Sequence, residues 1–472
     1  MRYFYSFFLG LLFLFAVEAA PKKPNILFIL ADDMNLENVG AFGLSPCKTP
    51  HLDRLLEQGT CFTHAYNMGA WGGAVCTASR TMLNSGVFVN GAQAAIKAHP
   101  QWAEWMKKAG YTTYMTGKWH VPGVRPKFDI TADVRGGMPH QTPEGYNRPK
   151  DMDDYKNGWK PWDKSKGGYW EGGTHWSEVV ANHAIEFLEQ AQKDENPFFM
   201  YIAFNATHDP RQSPKEYIDM YPLESLKAPE DFLPEYPWAA QIGCDPHRLR
   251  DERLMPTPRT KFAVRVHLQE YYAIASHMDA QIGRILEALE KSGLAENTYI
   301  VFTADHGLSI GHHGLVGKQN LYECSLRVPF LISGPGIASG QKLDMPIYLQ
   351  DAMPTILGWA GIQKPDYMQF KSLQPLLEKK QEVQYASIYG KYKDDQRMIL
   401  VDGWKLIAYP KAQKLLLFNT QKDPLEMHDL STNPEYAPKL KKMKKALQAL
   451  QKEMNDPLDI DSPAPVSSKA KK

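Results

Sequence analysis

Cysteine is scarce in this chain, five residues in 472, at positions 47, 61, 76, 244 and 324. A protein of this length with so few thiols does not rest on a disulfide framework, and no spacing is of the CxxC type that zinc sites use. An excess of one charge is also missing. Lys and Arg total 54 against 53 Asp and Glu, a net +1, so no global field selects nucleic acid or an anionic membrane, and any anion selectivity has to be local. Long apolar runs are confined to the first residues. The single N-glycosylation sequon is Asn205-Ala206-Thr207, at the end of an apolar run and next to His208, where a glycan would block a site. There is no internal repeat.

The chain begins with YFYSFFLGLLFLFAV after Arg2. A short apolar run behind a basic residue, with Val17 and Ala19 placed for cleavage, reads as an export signal over residues 1–19; the alternative is an uncleaved anchor. Export predicts a periplasmic or secreted mature chain with no membrane segment of its own. In that oxidising setting Cys47, Cys61, Cys244 and Cys324 either form up to two disulfides or stay as isolated buried thiols, which leaves Cys76 as the odd one.

Short β-rich apolar runs alternate with amphipathic helical stretches. NILFILA at 25–31, GYTTYMT at 110–116, FFMYIAF at 198–204 and TYIVFTA at 298–304 have the continuous hydrophobicity of strands buried on both faces. Between them lie HLDRLLEQ behind the Thr49-Pro50 start signal, WAEWMKKA before Gly110, and two longer helices that include VRVHLQEYYAIASHMDAQIGRILEALEK. The pattern predicts an α/β fold, a large mainly parallel sheet sandwiched by helices over residues 20–370. After it, YASIYG, MILVDGWKLIAYP, KLLLFN and a closing helix predict a smaller C-terminal α+β subdomain with an antiparallel sheet over 371–457. Residues 458–472 read as a disordered tail.

The decisive pattern lies just beyond each strand. Ligands of open α/β sheets gather at the carboxyl ends of the strands, and here those ends carry Asp32-Asp33, Lys118-Trp119-His120, His208 and Asp305-His306. Successive strand residues face opposite ways, so Asp32 and Asp33 act together only if the chain has already turned out of the strand. Three carboxylates suit a hard divalent cation such as calcium, with His306 as a weak ligand or an orienting neighbour. In AVCTASRTMLNSG a helix opening at Cys76 and ending at Gly86 sets Cys76 and Arg80 on one face, beside the free N–H groups of a helix start; a buried thiol beside an exposed Arg is the simpler reading of that segment alone.

Taken in order, ILADD, CTASR, TGKWH, THDP, TADHG and GKQNLYECSLRVP make the chain resemble a type I, formylglycine-dependent sulfatase of the alkaline phosphatase superfamily, from about Pro24 to about Asn455. The resemblance implies that Cys76 is oxidised to formylglycine by a formylglycine-generating or sulfatase-maturing enzyme. Its hydrated aldehyde is then the nucleophile toward a sulfate ester, with one calcium ion per chain on Asp32, Asp33, residue 76, Asp305 and His306. It further implies that Arg80, Lys118 and Lys318 neutralise the diol oxygen and sulfate. His120 is then a base and His208 a proton or hydrogen-bond donor to the leaving alcohol. The implied substrate is a sulfated carbohydrate; a phosphate or phosphonate monoester hydrolase on the same scaffold, and an unmodified sulfated-glycan binding protein, are the alternatives.

Two departures are visible. Ala78 stands where the family motif most often has Pro, and VFVNGAQAA replaces a His-rich continuation. Specificity is expected in the long excursions. Residues 121–172, rich in Trp, Tyr and Gly, offer aromatics for sugar stacking and Arg125, Lys127, Arg135 and Arg148 for anions, or else aromatics that only pin the loop down. The excursion from Asp209 to Thr260 brings Arg211 near His208 with the same two readings.

Overall fold

The computed structural model describes residues 22–137 and 140–461. The export signal lies outside the described residues, as does the tail from 462 onward.

An eight-stranded sheet forms the centre. Its middle strand, Asn25–Ala31, is buried at every residue and pairs in parallel with Phe198–Ala203 on one side and Thr298–Ala304 on the other. Thr112–Lys118 and then Ile130–Arg135 extend the parallel part outward. On the far side Phe330–Ser333 runs antiparallel between Thr298–Ala304 and Thr60–Phe62, and Gln341–Leu343 closes that edge. The uninterrupted apolar character of the central runs is explained by this position, since a strand with helices on both faces has no solvated side. Ile130–Arg135 lies inside the excursion expected as loop. Its ITADVR sequence alternates and stays half-exposed, the mark of an edge strand with one free face.

Gly117 shows how tightly the active edge is built. Its φ is +92°, and a Cβ there would lie 1.9 Å from the Ala203 carbonyl oxygen, so only glycine lets the strand bulge next to Lys118.

The helices start and stop as the sequence signals, with one exception. The helix Pro50–Gln58 has Pro at its first position, but Thr49 makes no side-chain cap. Instead the Asp279 carboxylate, from the long helix Lys261–Lys291, accepts from the backbone N–H groups of His51 and Leu52 at 3.1 and 2.8 Å. The Thr49 hydroxyl is used elsewhere, accepting from Gly40 N–H and donating to Asp53.

The strands Ile388–Tyr392, Gln396–Val401, Trp404–Tyr409 and Lys414–Asn419 form an antiparallel meander, packed by the helix Ala437–Glu453 through Met443, Leu447 and Leu450. Ahead of the meander, SLQPLL at 372–377 forms a single helical turn, Gln374–Leu377. Beyond Asp456 the chain stays packed to Asp461: Ile460 is buried and the Leu458 carbonyl accepts from Gln451. The meander gains a fifth strand from far upstream, Gly69–Ala70, parallel to Ile388–Tyr392. Its apolar face shares one core with Val75, Ala78 and Met82, so the helix carrying Cys76 is clamped between the two sheets.

All five cysteines are free thiols, four of them buried and Cys324 half-buried. Asn205 is buried and donates to the Tyr169 hydroxyl, which leaves its sequon no room for a glycan.

Candidate active site

The ionisable residues singled out at the strand ends converge on one pocket at the carboxyl edge of the sheet, whereas Trp119 packs into the core against Phe128 and Tyr201. The chain leaves the first strand at Ala31 and turns at once, Asp33 taking a left-handed φ of +62°. That turn puts both carboxylates in the same pocket, as joint action requires. His120, just after its strand, has a φ of +50°. Non-glycine residues in this region are costly to hold, and both belong to the pocket. Cys76 lies in the first turn of the helix Val75–Ser85, which ends on left-handed Gly86.

The contacts interlock. Arg80 Nε is 2.8 Å from Asp305 Oδ2, its Nη1 donates to the Lys118 carbonyl at 2.7 Å, and its Nη2 stands 3.7 Å from Asp32. Lys118 Nζ pairs with Asp32 Oδ2 and lies 3.7 Å from Cys76 Sγ. That sulfur is 3.2 Å from His120 Nδ1. Lys318 Nζ holds both oxygens of Asp33 at 2.8 and 2.9 Å. His306 Nε2 sits 3.2 Å from Asp33 and 3.5 Å from Asp305, while His208 Nε2 faces Asp33 at 3.8 Å.

Three buried aspartates therefore meet three buried cations, a balance that burial of charge demands. Burial acts on each group before its neighbours do. It pushes Asp33 well up, Lys318 opposing and Asp32 and Asp305 adding to the rise. Burial also works to raise Asp305, but His306, Arg80 and Lys118 outweigh it and hold that carboxyl well below the usual range. His120 is pushed down to about 4 by burial and then Lys118, and His208 falls well below its ordinary range through burial and Lys318. A His120 imidazole held that low is able to accept a proton.

The donor set fits a hard cation. Ligand atoms of Asp32, Cys76, Asp305 and His306 lie within 4.8 Å of one another, as do those of Asp32, Asp33 and His208. Asp32 Oδ1 and His306 Nε2 are buried with no hydrogen-bond partner, a deficit that a divalent ion would relieve with carboxylate oxygens of the preferred kind.

The family profile described as Sulfatase matches residues 24–362, and that of the N-sulphoglucosamine sulphohydrolase C-terminal region matches 311–453. An arylsulfatase of Clostridium perfringens is 30% identical over 468 residues, covering 90% of this chain and 94% of its own. The chain belongs to the sulfatase family.

Two solved structures share the fold of this sulfatase. One, determined in complex with its substrate D-glucosamine-2-N,6-O-disulfate, superposes with a TM-score of 0.71 at 23% identity over 93% of this chain and 99% of that one. The other, a phosphonate monoester hydrolase of Agrobacterium radiobacter, has the same TM-score at 20% identity, with 91% and 96% covered.

The excursions of the sulfatase are pinned more than presented. Tyr169, Trp170 and Trp159 are buried, and Trp159 donates to Glu270. Arg148 is 2.8 Å from the same glutamate, and Arg135 pairs with Asp133 and Glu171 over the Trp176 ring. Arg211 is buried against His267 and the Tyr271 ring. Those arginines are occupied by the protein itself. Sequence reasoning passed over three features that touch the site: the Tyr169 hydroxyl, which donates to the His208 carbonyl; the Asp209 carboxylate; and Arg250, paired with it. Asp209 was legible beside His208 in THDP; Arg250 is not at any spacing that marks a pair.

Proposed function

We propose that this sulfatase hydrolyses a sulfate ester of a carbohydrate, using formylglycine made from Cys76 and a calcium ion. The observation that carries the reading is the surroundings of Cys76 Sγ, the atom that stands where a diol oxygen would be. His120 is 3.2 Å from it and Lys118 3.7 Å, on the rim of the carboxylate cluster. A binding protein has no use for a base against that atom. Formylglycine, once hydrated, supplies one hydroxyl to attack sulfur and a second to expel sulfate, and calcium supplies the charge that binds sulfate oxygens among carboxylates.

The chain's own residues do the rest. Asp32, Asp33, Asp305 and His306 would hold the ion. Arg80 and Lys118 keep positive charge beside residue 76, and Lys318 does so on the side of Asp33, where the bridging oxygen gains charge as the S–O bond breaks. His120 accepts the proton of the second hydroxyl. His208, with Nδ1 donating to the Asp209 carbonyl at 2.7 Å, points Nε2 into the pocket. In the step that expels the alcohol His208 has to be the imidazolium, a state that the negative charge of a bound ester favours; passing its Nε2 proton to the leaving oxygen then yields an alcohol and a neutral imidazole, which spares a poor alkoxide leaving group.

The carbohydrate is supported by the disulfated glucosamine bound to a protein of the same fold, and export by the apolar leader. The equal superposition on a phosphonate monoester hydrolase supports a second reading. Rates on sulfate and phosphonate esters of equal leaving-group pKa separate the two.

The test is the mass of the peptide spanning residue 76 after expression with a sulfatase-maturing enzyme, together with 4-nitrophenyl sulfate hydrolysis before and after chelation. The expected result is formylglycine at 76 and activity that falls on chelation and returns with calcium. Turnover by a protein whose Cys76 is wholly unmodified would overturn the diol route.

A further inference from the structure

The second excursion returns to the active edge around Arg250, with Asp251 and Glu252 holding the segment that carries Lys318. The Arg250 guanidinium, with a side chain 45% exposed, grips both oxygens of the buried Asp209 carboxylate. The same guanidinium is 2.7 Å from Asp251 and 3.5 Å from the hydroxyl of Tyr146, a residue of the first excursion. Asp209 in turn reaches His208, its Oδ1 standing 3.3 Å from Nδ1 while its carbonyl accepts from the same nitrogen. Both long excursions thus meet on the far side of the His208 imidazole, away from Asp33.

We propose that Arg250 is a positioning residue for the sulfatase reaction: through Asp209 it holds the His208 ring with Nε2 toward the leaving oxygen. The inference rests on the reading of the protein as a sulfatase with His208 on the leaving-group side. The physical reason is the burial of Asp209. A carboxylate 2% exposed needs a counter-charge, and Arg250 makes a two-pronged contact that also fixes the plane of the carboxylate. With that plane fixed, Oδ1 stays behind Nδ1. The arrangement has the logic of an acid that orients an imidazole from its rear nitrogen without touching substrate. Without Arg250, Asp209 is free to turn toward water and the ring loses one of its two rear contacts.

A proton on the leaving oxygen matters little for a stable phenolate and greatly for a basic one, so the role is read from leaving-group dependence. Matured wild type, Arg250→Gln and Arg250→Lys are compared on substituted phenyl sulfates from 4-nitrophenyl to 4-methoxyphenyl. Arg250→Gln is expected to lose less than about fivefold in kcat/KM on the first and about 10–100-fold on the last, carried by kcat. Arg250→Lys, which keeps the charge on Asp209, is expected between the two, and Asp209→Asn to steepen the dependence as Arg250→Gln does. Matching melting curves for the Arg250 variants establish folding.

Three results would overturn the proposal: a uniform loss across the series, a change in KM alone, which would put Arg250 on the substrate, or no loss. A matured wild type inert on every ester would instead overturn the sulfatase reading and this inference with it.

Discussion

Arg80 shows how one side chain serves both stability and chemistry. Its guanidinium is fully buried and binds Asp305, the Lys118 carbonyl and, more distantly, Asp32. Replacing it by Ala takes from the buried Asp305 carboxylate its nearest cation, and losing one partner of such a buried pair costs about 3–5 kcal/mol. Urea denaturation of Arg80→Ala is expected to show that loss together with absent turnover. Outside the site, His312 is the informative titrating residue. Burial works to lower it, but Glu37 and Asp231, the latter 2.8 Å from Nδ1, outweigh burial and raise it to about 10. A histidine raised on folding contributes its full stabilisation below its unfolded value near 6.5 and loses it as pH rises through the folded value. The stability gap between wild type and His312→Gln is therefore expected to be widest near pH 6 and to close by about pH 10, as urea midpoints across that range would show. At this scale the sequence was generous with identity and silent on pairing. Asp32, Asp33, Lys118 and Asp305 announce themselves by their places at strand ends, whereas the bond from Arg250 to Asp209 crosses 41 residues of chain and leaves no periodic trace.

Elements place these residues, and a few contacts fix the elements. Gly69, in the two-residue strand ahead of the Cys76 loop, has φ +89°, and a Cβ there would lie 1.9 Å from the Lys391 carbonyl. Gly69→Ala must push that strand off Ile388–Tyr392, an overpacking cost of about 1–3 kcal/mol. The expected outcome is a lower melting temperature and a reduced kcat, because the loop to Cys76 moves with the strand. Asp279 offers a second test. Its two backbone contacts cap the helix Pro50–Gln58, so Asp279→Ala is expected to cost about 0.5–2 kcal/mol in urea titrations, and Thr49→Ala to act through Asp53 and Gly40 instead. The four central strands were legible because continuous apolar runs need burial on both faces. The edge strand Ile130–Arg135 was not, because half-exposed alternation over six residues inside a Gly- and Pro-rich stretch carries little signal.

At the scale of the whole molecule the two sheets are mechanically one. The antiparallel meander takes Gly69–Ala70 as its outer strand and packs on the helix that carries Cys76. Ending the chain before Ile388 uncovers Val75, Ala78 and Met82, and the shortened protein is expected to lose its cooperative calorimetric transition instead of keeping an intact catalytic part; a transition at the original temperature would contradict that coupling. The sequence by itself determined the class of fold, the four central strands and which residues stand at their carboxyl ends, because hydrophobic period and strand-end chemistry are local properties of the chain. Tertiary structure alone decided three things: that an aspartate of the long helix and not Thr49 caps a helix, that most of the excursion's aromatics and arginines are bound internally, and that Arg250 stands behind His208. Each depends on which distant segments meet when apolar surface is buried, and that choice is written in no single stretch of residues.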